Sequence, residues 1–208
     1  MGYTFTAGEI GTKAKLDQTI PSQVMQAGAL SVAPVANTQT SVWVAFPTPF
    51  ASVPRIAVSP VSIVPGSQVK GVGWTGATRF GFTLWLLRTN TTKTTIMWQA
   101  FADQPTPFVT GQPAPATLLN VGSASPLDPA AGTVSINAGG SVPVSATVTF
   151  PVAFASTPVV CVSPTTSVPG IVRMSSLSSL TATGFTGWIY RTGTATATNL
   201  NWVALGRF

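Results

Sequence analysis

Apolar and polar residues alternate along most of this chain, with the period of two that puts successive side chains on opposite faces of a strand. In RFGFTLWLL (79–87), Phe80, Phe82, Leu84 and Leu86 share one face, with Arg79, Thr83 and Trp85 on the other. SVWVAF (41–46) sets Val42, Val44 and Phe46 against Trp43 and Ala45, and TTIMWQA (94–100) groups Ile96, Trp98 and Ala100. TVTF, VVCVS, TGFTGWIY and LNWVA repeat the pattern later in the chain. Short runs of this kind, bounded by Pro and Gly, predict antiparallel strands.

The runs occur twice. FPTPFASVPRIAVSPVSIVPG (46–66) aligns with FPVAFASTPVVCVSPTTSVPG (150–170) at an offset of 104, with 12 of 21 positions identical. GFTLWLLRT (81–89) matches GFTGWIYRT (184–192) at 103, IMWQA (96–100) matches LNWVA (200–204), and AGALS (27–31) matches AGTVS (131–135). A period near 100 residues with two copies is a tandem duplication of a small domain rather than a solenoid. Four pieces follow: an arm over 1–26, a first repeat over 27–104, a Pro-rich spacer over 105–130 and a second repeat over 131–208. About six strands in each repeat predict an all-β chain of two tandem antiparallel β-sandwiches, one sheet covering the apolar face of another. The arm has room for a short helix over Thr12–Thr19. A core of this size is marginal alone, so the copies are expected to pack on each other or on further subunits.

Composition sharpens this picture. Charged residues are 7% of the chain, against about 25% in an ordinary soluble protein, while 45% are hydrophobic, which excludes disorder and long charged helices. Outward positions are mostly Ser, Thr, Gly and Ala, with Trp43, Trp85 and Trp188 facing out. Such a surface loses little on desolvation, so a homo-oligomer or larger assembly is expected. The net charge of +6 is spread over Lys13, Lys15, Arg55, Lys70, Arg79, Arg88, Lys93, Arg173, Arg191 and Arg207, without the clustering of a nucleic-acid binder. No apolar stretch is long enough to span a membrane, and MGYTFTAGEIGTK lacks the basic and apolar segments of a signal peptide. A chain made in the cytoplasm is expected. The single cysteine, Cys161, lies mid-strand in VVCVS and reads as a small buried residue.

Chemistry-bearing residues are scarce. There is no histidine, and the four acids (Glu9, Asp17, Asp103, Asp128) put at most one carboxylate in a repeat. Paired-carboxylate hydrolysis, a zinc site of normal composition and nucleotide-binding glycine loops therefore lack their residues, and no enzyme, cofactor or metal is expected. Aromatics beside cations remain, able to stack on sugar rings and hydrogen-bond hydroxyls. The candidates are Trp85 with Arg88, Trp188 with Tyr190 and Arg191, and Trp74 with Arg79. W-x-x-R recurs in both copies, yet residues three apart on a strand point to opposite faces unless the strand ends between them. Trp98 and Trp202 are expected in the cores.

The pattern FPxxFASxPxVxVSP…GFT…W…(I/L)xWxA resembles the H-type lectin-like sandwich of bacteriophage tail fibres and receptor-binding tips. Its anchors here are Phe46, Pro47, Phe50, Pro54, Gly81, Phe82 and Trp98, then Phe150, Pro151, Phe154, Pro158, Gly184, Phe185 and Trp202. The opening YTFTAGEIGTKAKLDQTI is similar to that of small minor structural proteins in phages of actinobacteria. The resemblance implies about six antiparallel strands per domain, homotrimers and sugar binding between subunits. The expectation is a non-enzymatic virion protein on a tail or capsid surface, minor tail or fibre-like. Its arm would hold other virion proteins and its sandwiches would reach host cell-envelope glycans, with no nucleic acid or membrane partner. A capsid decoration or head-fibre protein without a receptor is the alternative, and a free carbohydrate-binding lectin a further one.

Overall fold

The computed structural model describes residues 25–102, 128–168 and 170–208. The arm with its expected helix over Thr12–Thr19, apart from its last two residues, and all but the end of the 105–130 spacer lie outside the described residues. The fold is all-β. Six strands form the first repeat: β1 (Met25–Val32), β2 (Gln39–Ala45), β3 (Arg55–Pro60), β4 (Val69–Thr75), β5 (Gly81–Arg88) and β6 (Thr94–Phe101). Six form the second: β7 (Asp128–Ala138), β8 (Val142–Thr149), β9 (Val159–Thr165), β10 (Val172–Ser178), β11 (Gly184–Arg191) and β12 (Thr196–Gly206).

These make four three-stranded antiparallel sheets, β1-β6-β3 and β2-β5-β4 in one repeat, β7-β12-β9 and β8-β11-β10 in the other. Register is duplicated residue for residue. Trp98 stands between Gly28 and Val58, as Trp202 stands between Gly132 and Val162. Val44 faces Phe82 as Val148 faces Phe185.

The alternation read from the sequence is what joins the sheets of each repeat. Phe46, Phe50, Phe82 and Trp98 make one aromatic cage, with Phe46 meeting Phe50 edge-on at 4.9 Å and Trp98 at 5.7 Å. Phe150, Phe154, Phe185 and Trp202 repeat it at 5.1 and 5.5 Å. Each buried aromatic of this size is worth roughly 1.5–3 kcal/mol over exposure. The indoles need flat neighbours: a Cβ on Gly28 or Gly132 would lie 2.7 Å from Cζ2 of Trp98 or Trp202. Glycine is therefore required opposite each tryptophan.

Phe80 departs from the expected face. It precedes β5, is 56% exposed, and has the Arg79 guanidinium 5.2 Å from its ring centroid. The period of two does not extend into this turn, whose backbone is fixed by Phe46 N–H donating to the Phe80 carbonyl and Phe50 N–H to that of Arg79.

The repeats pack on each other. Met97 and Gln99 point away from their own core yet are buried, because the second repeat covers them. Gln99 Nε2 donates to the Val159 and Val203 carbonyls at 3.0 and 2.9 Å. Ser59 Oγ accepts from Val162 N–H at 2.9 Å, and Cys161 Sγ lies 3.7 Å from the Ala57 carbonyl.

Candidate functional site

On β5 the core takes Phe82, Leu84 and Leu86, so Thr83, Trp85 and Leu87 face outward. Trp85 donates its indole N–H to Thr75 Oγ1 at 2.8 Å, and Trp188 donates to Ser178 Oγ at the same distance. These partners are equivalent in the two repeats, so both indoles are pinned by one edge and half-buried.

In the first repeat this face has more to offer. Pairing of Ser41 with Trp85 and Trp43 with Thr83 makes the two tryptophans diagonal neighbours, about 7–8 Å apart. Trp43 is 51% exposed and lies across Gly81. On the other side of Trp85, β4 presents Gly73 and then Gly71, where an added Cβ would meet nothing within 4 Å. Across the sheet the order is Trp43 on β2, Trp85 on β5 and a bare glycine backbone on β4. With the Trp85 donor already bonded, this face offers ring surface that can stack on a sugar ring or an apolar side chain. Trp43 was visible in the alternation as an outward tryptophan; the glycine floor needs the register to be seen.

The arginines are elsewhere. Arg88 is buried on the core side of β5 and donates Nε to Asn90 Oδ1 at 2.6 Å, Nη1 to Thr94 Oγ1 at 2.6 Å and Nη2 to Gln68 Oε1 at 3.1 Å. Desolvation by burial holds its pKa below the usual guanidinium value. Arg191 keeps the equivalent bond, Nη1 to Thr198 Oγ1 at 3.1 Å, but its buried Nε is unpartnered. The acceptors are missing because Gln68 and Asn90 correspond to Ile171 and Gly193. W-x-x-R thus joins a surface tryptophan to a framework arginine, and the structure does not bring Trp85 to Arg88 or Trp188 to Arg191. Nor does Arg79 serve Trp74: its guanidinium lies over Phe80, while Trp74 at the end of β4 is 39% exposed.

Tyr190, beside Trp188 on the outer face of β11, is also engaged. Gly66 of the first repeat lies so close that a Cβ there would fall 2.3 Å from the tyrosine ring. Next to it, Ser176 Oγ donates to the Ser62 carbonyl at 2.6 Å. The loop between β3 and β4 therefore covers part of the second repeat's outer face and leaves the first repeat's open.

Reactive groups are few in this framework. Asp128 is the one acidic side chain among the described residues, and its Oδ2 accepts from Phe208 N–H at 3.3 Å. No group of three His, Cys, Asp or Glu that could hold a metal occurs among them. Burial between the repeats pushes the Cys161 thiol up to about 12, against a hydrogen bond with Ser59 that lowers it, so the reactive thiolate is scarce at neutral pH. No family model, curated protein or solved structure matches this chain.

Proposed function

We propose that this chain is a non-enzymatic structural component of a bacteriophage virion, minor tail or fibre-like, built from two H-type lectin-like sandwiches and assembled as a homo-oligomer, a trimer in the resemblance. The arm would dock on other virion proteins and the repeats would meet glycans of the host envelope. The observation that carries this reading is the outer face of the first repeat, where Trp43, half exposed, and Trp85 are followed across the sheet by the bare backbone of Gly73 and Gly71, on a duplicated framework with little charge. It is a surface for contact.

The test is attachment of a fluorescent fusion to bacterial surfaces at about 0.05 and 0.5 M salt, since attraction from a net charge of +6 is screened at the higher strength. Saturable binding at both salts, lost in Trp43→Ala/Trp85→Ala, is the expected result. Binding that vanishes at high salt on every strain overturns the receptor part. The second reading, a capsid decoration protein without a receptor, is favoured by Arg88 and Tyr190 being engaged within the fold. Deleting the arm should abolish incorporation into particles in either case.

A further inference from the structure

The two repeats differ at one end of their outer sheets. In the first repeat Trp43 lies across Gly81, its Cζ2 2.7 Å from where a Cβ on that glycine would sit, and the exposed Phe80 stands in the turn beside it. At the equivalent positions the second repeat has Thr147, Gly184 and Thr183. No indole lies over Gly184: the atoms nearest a Cβ there are backbone atoms of Val148 and Thr149. The result is a groove of about 290 Å³ around Gly184, lined by the hydroxyl side chains of Thr147, Thr149, Ser179, Thr181, Thr183 and Thr186.

The exchange is concerted. Trp43, Ala45, Gly76 and Phe80 correspond to Thr147, Thr149, Ser179 and Thr183, so four hydroxyls replace two aromatic rings, a methyl and a glycine around one spot. Thr78 and Thr83 keep their counterparts in Thr181 and Thr186. The hydroxyls of Thr147, Thr149, Ser179 and Thr186 have no hydrogen-bond partner among the described residues, while those of Thr181 and Thr183 bond each other at 3.1 Å. Ser179 holds φ of +50°, where the first repeat has Gly76 at +60°. A serine is strained in that left-handed conformation and a glycine is not, and what the serine adds is a hydroxyl at the rim of the groove.

We propose that this groove binds one pyranose ring of an uncharged saccharide. The first repeat supplies the measure of the seat, since a planar indole fits against the equivalent glycine. The volume is at the small end of ligand sites and suits a single ring. Threonine and serine hydroxyls both donate and accept, as sugar hydroxyls do. No charged side chain lines the groove, so an anionic ligand would find no counter-charge there. An aromatic side chain of a protein partner would leave the free hydroxyls unpaired, which favours the saccharide. The groove lies at the end of the β8-β11-β10 sheet away from Tyr190, and no residue of the first repeat lines it. The inference rests on the glycan part of the proposed function; it names the sugar class and adds a site in the second repeat, apart from Trp43 and Trp85.

The experiment is saturation-transfer NMR on the full-length chain with the methyl glycosides of glucose, galactose, mannose and N-acetylglucosamine, each at about 10 mM, enough to populate a millimolar site. Wild type should transfer saturation to at least one of them. Thr147→Trp installs the first repeat's residue over Gly184 and should abolish that transfer with the melting temperature unchanged. Ser179→Gly removes one hydroxyl and should weaken binding about threefold to tenfold, the worth of one hydrogen bond, while the melting temperature rises. Trp43→Ala/Trp85→Ala should keep the sugar signal. A signal that survives Thr147→Trp overturns the groove; if it is lost instead in Trp43→Ala/Trp85→Ala, the glycan contact lies on the first repeat and the proposed function stands. No transfer from any of the four glycosides also overturns the groove, while attachment to bacteria, read separately, decides the host contact. Attachment that Thr147→Trp abolishes but about 100 mM glycoside does not compete gives the groove a protein occupant and overturns the saccharide.

Discussion

At the scale of single residues, duplication lets the molecule serve as its own control, because the same position meets different surroundings in each copy. Gln99 is 1% exposed with two carbonyls on its amide, whereas its equivalent Val203 is 36% exposed. Gln99→Leu keeps the volume but leaves both carbonyls facing a hydrocarbon, and should cost about 1–3 kcal/mol. Val203→Gln should change stability by less than about 0.5 kcal/mol. Urea midpoints check both, and equal effects would refute the interface drawn at Gln99. Cys161 offers a pH test. Its folded pKa, about 12, is raised above the value of roughly 8.5 for an unfolded thiol. The neutral thiol's contribution is thus fully present below about pH 8.5 and is lost as pH rises toward 12, by up to about 1.4 kcal/mol per pH unit. Cys161→Ala installs the residue found at the equivalent position, Ala57, and should flatten that part of the profile; unfolding curves of both proteins from pH 8 to 10.5 decide it.

At the scale of elements, the β3–β4 loop shows how tightly a local conformation can bind two repeats. Gly66 has φ of +70° and abuts the Tyr190 ring, so Gly66→Ala meets both backbone strain and a clash. It should cost well over about 1 kcal/mol, while Gly170→Ala, with open space around it, should be nearly silent. A matched pair of thermal melts reads this directly. The strands themselves were legible because alternation and Pro/Gly punctuation report local burial: Phe82, Leu84 and Leu86 face the core as read, and Trp98 and Trp202 fill it. Phe80 was misplaced because alternation cannot say where a strand begins. The candidate arginines were chosen by nearness in sequence, and strand geometry sends Arg88 to the face opposite Trp85. Gly71, Gly73 and the covering of Tyr190 depend on register and on repeat-to-repeat packing, for which a single sequence carries no signal.

At the scale of the whole molecule, two small cores share one interface, and its strength decides whether they behave as one protein. Each repeat closes its own aromatic cage, and the boundary is crossed by apolar contacts in both directions: Met97 joins the second core and Met174 packs against the first. Gln99, Ser59 and Ser176 add hydrogen bonds across it. Domains of about this size bury too little surface to be robust alone. Stability contributed by the interface is available only while both repeats are folded, which couples their unfolding. Scanning calorimetry of the full chain should therefore show one transition, with calorimetric and van't Hoff enthalpies in agreement. Gln99→Glu sets a carboxylate against the Val159 and Val203 carbonyls and should loosen the boundary while leaving both aromatic cages intact. Its trace should split into two transitions, the lower one belonging to the less stable repeat. Two transitions already present in the wild type would mean that the repeats fold independently and that the buried amide does not couple them.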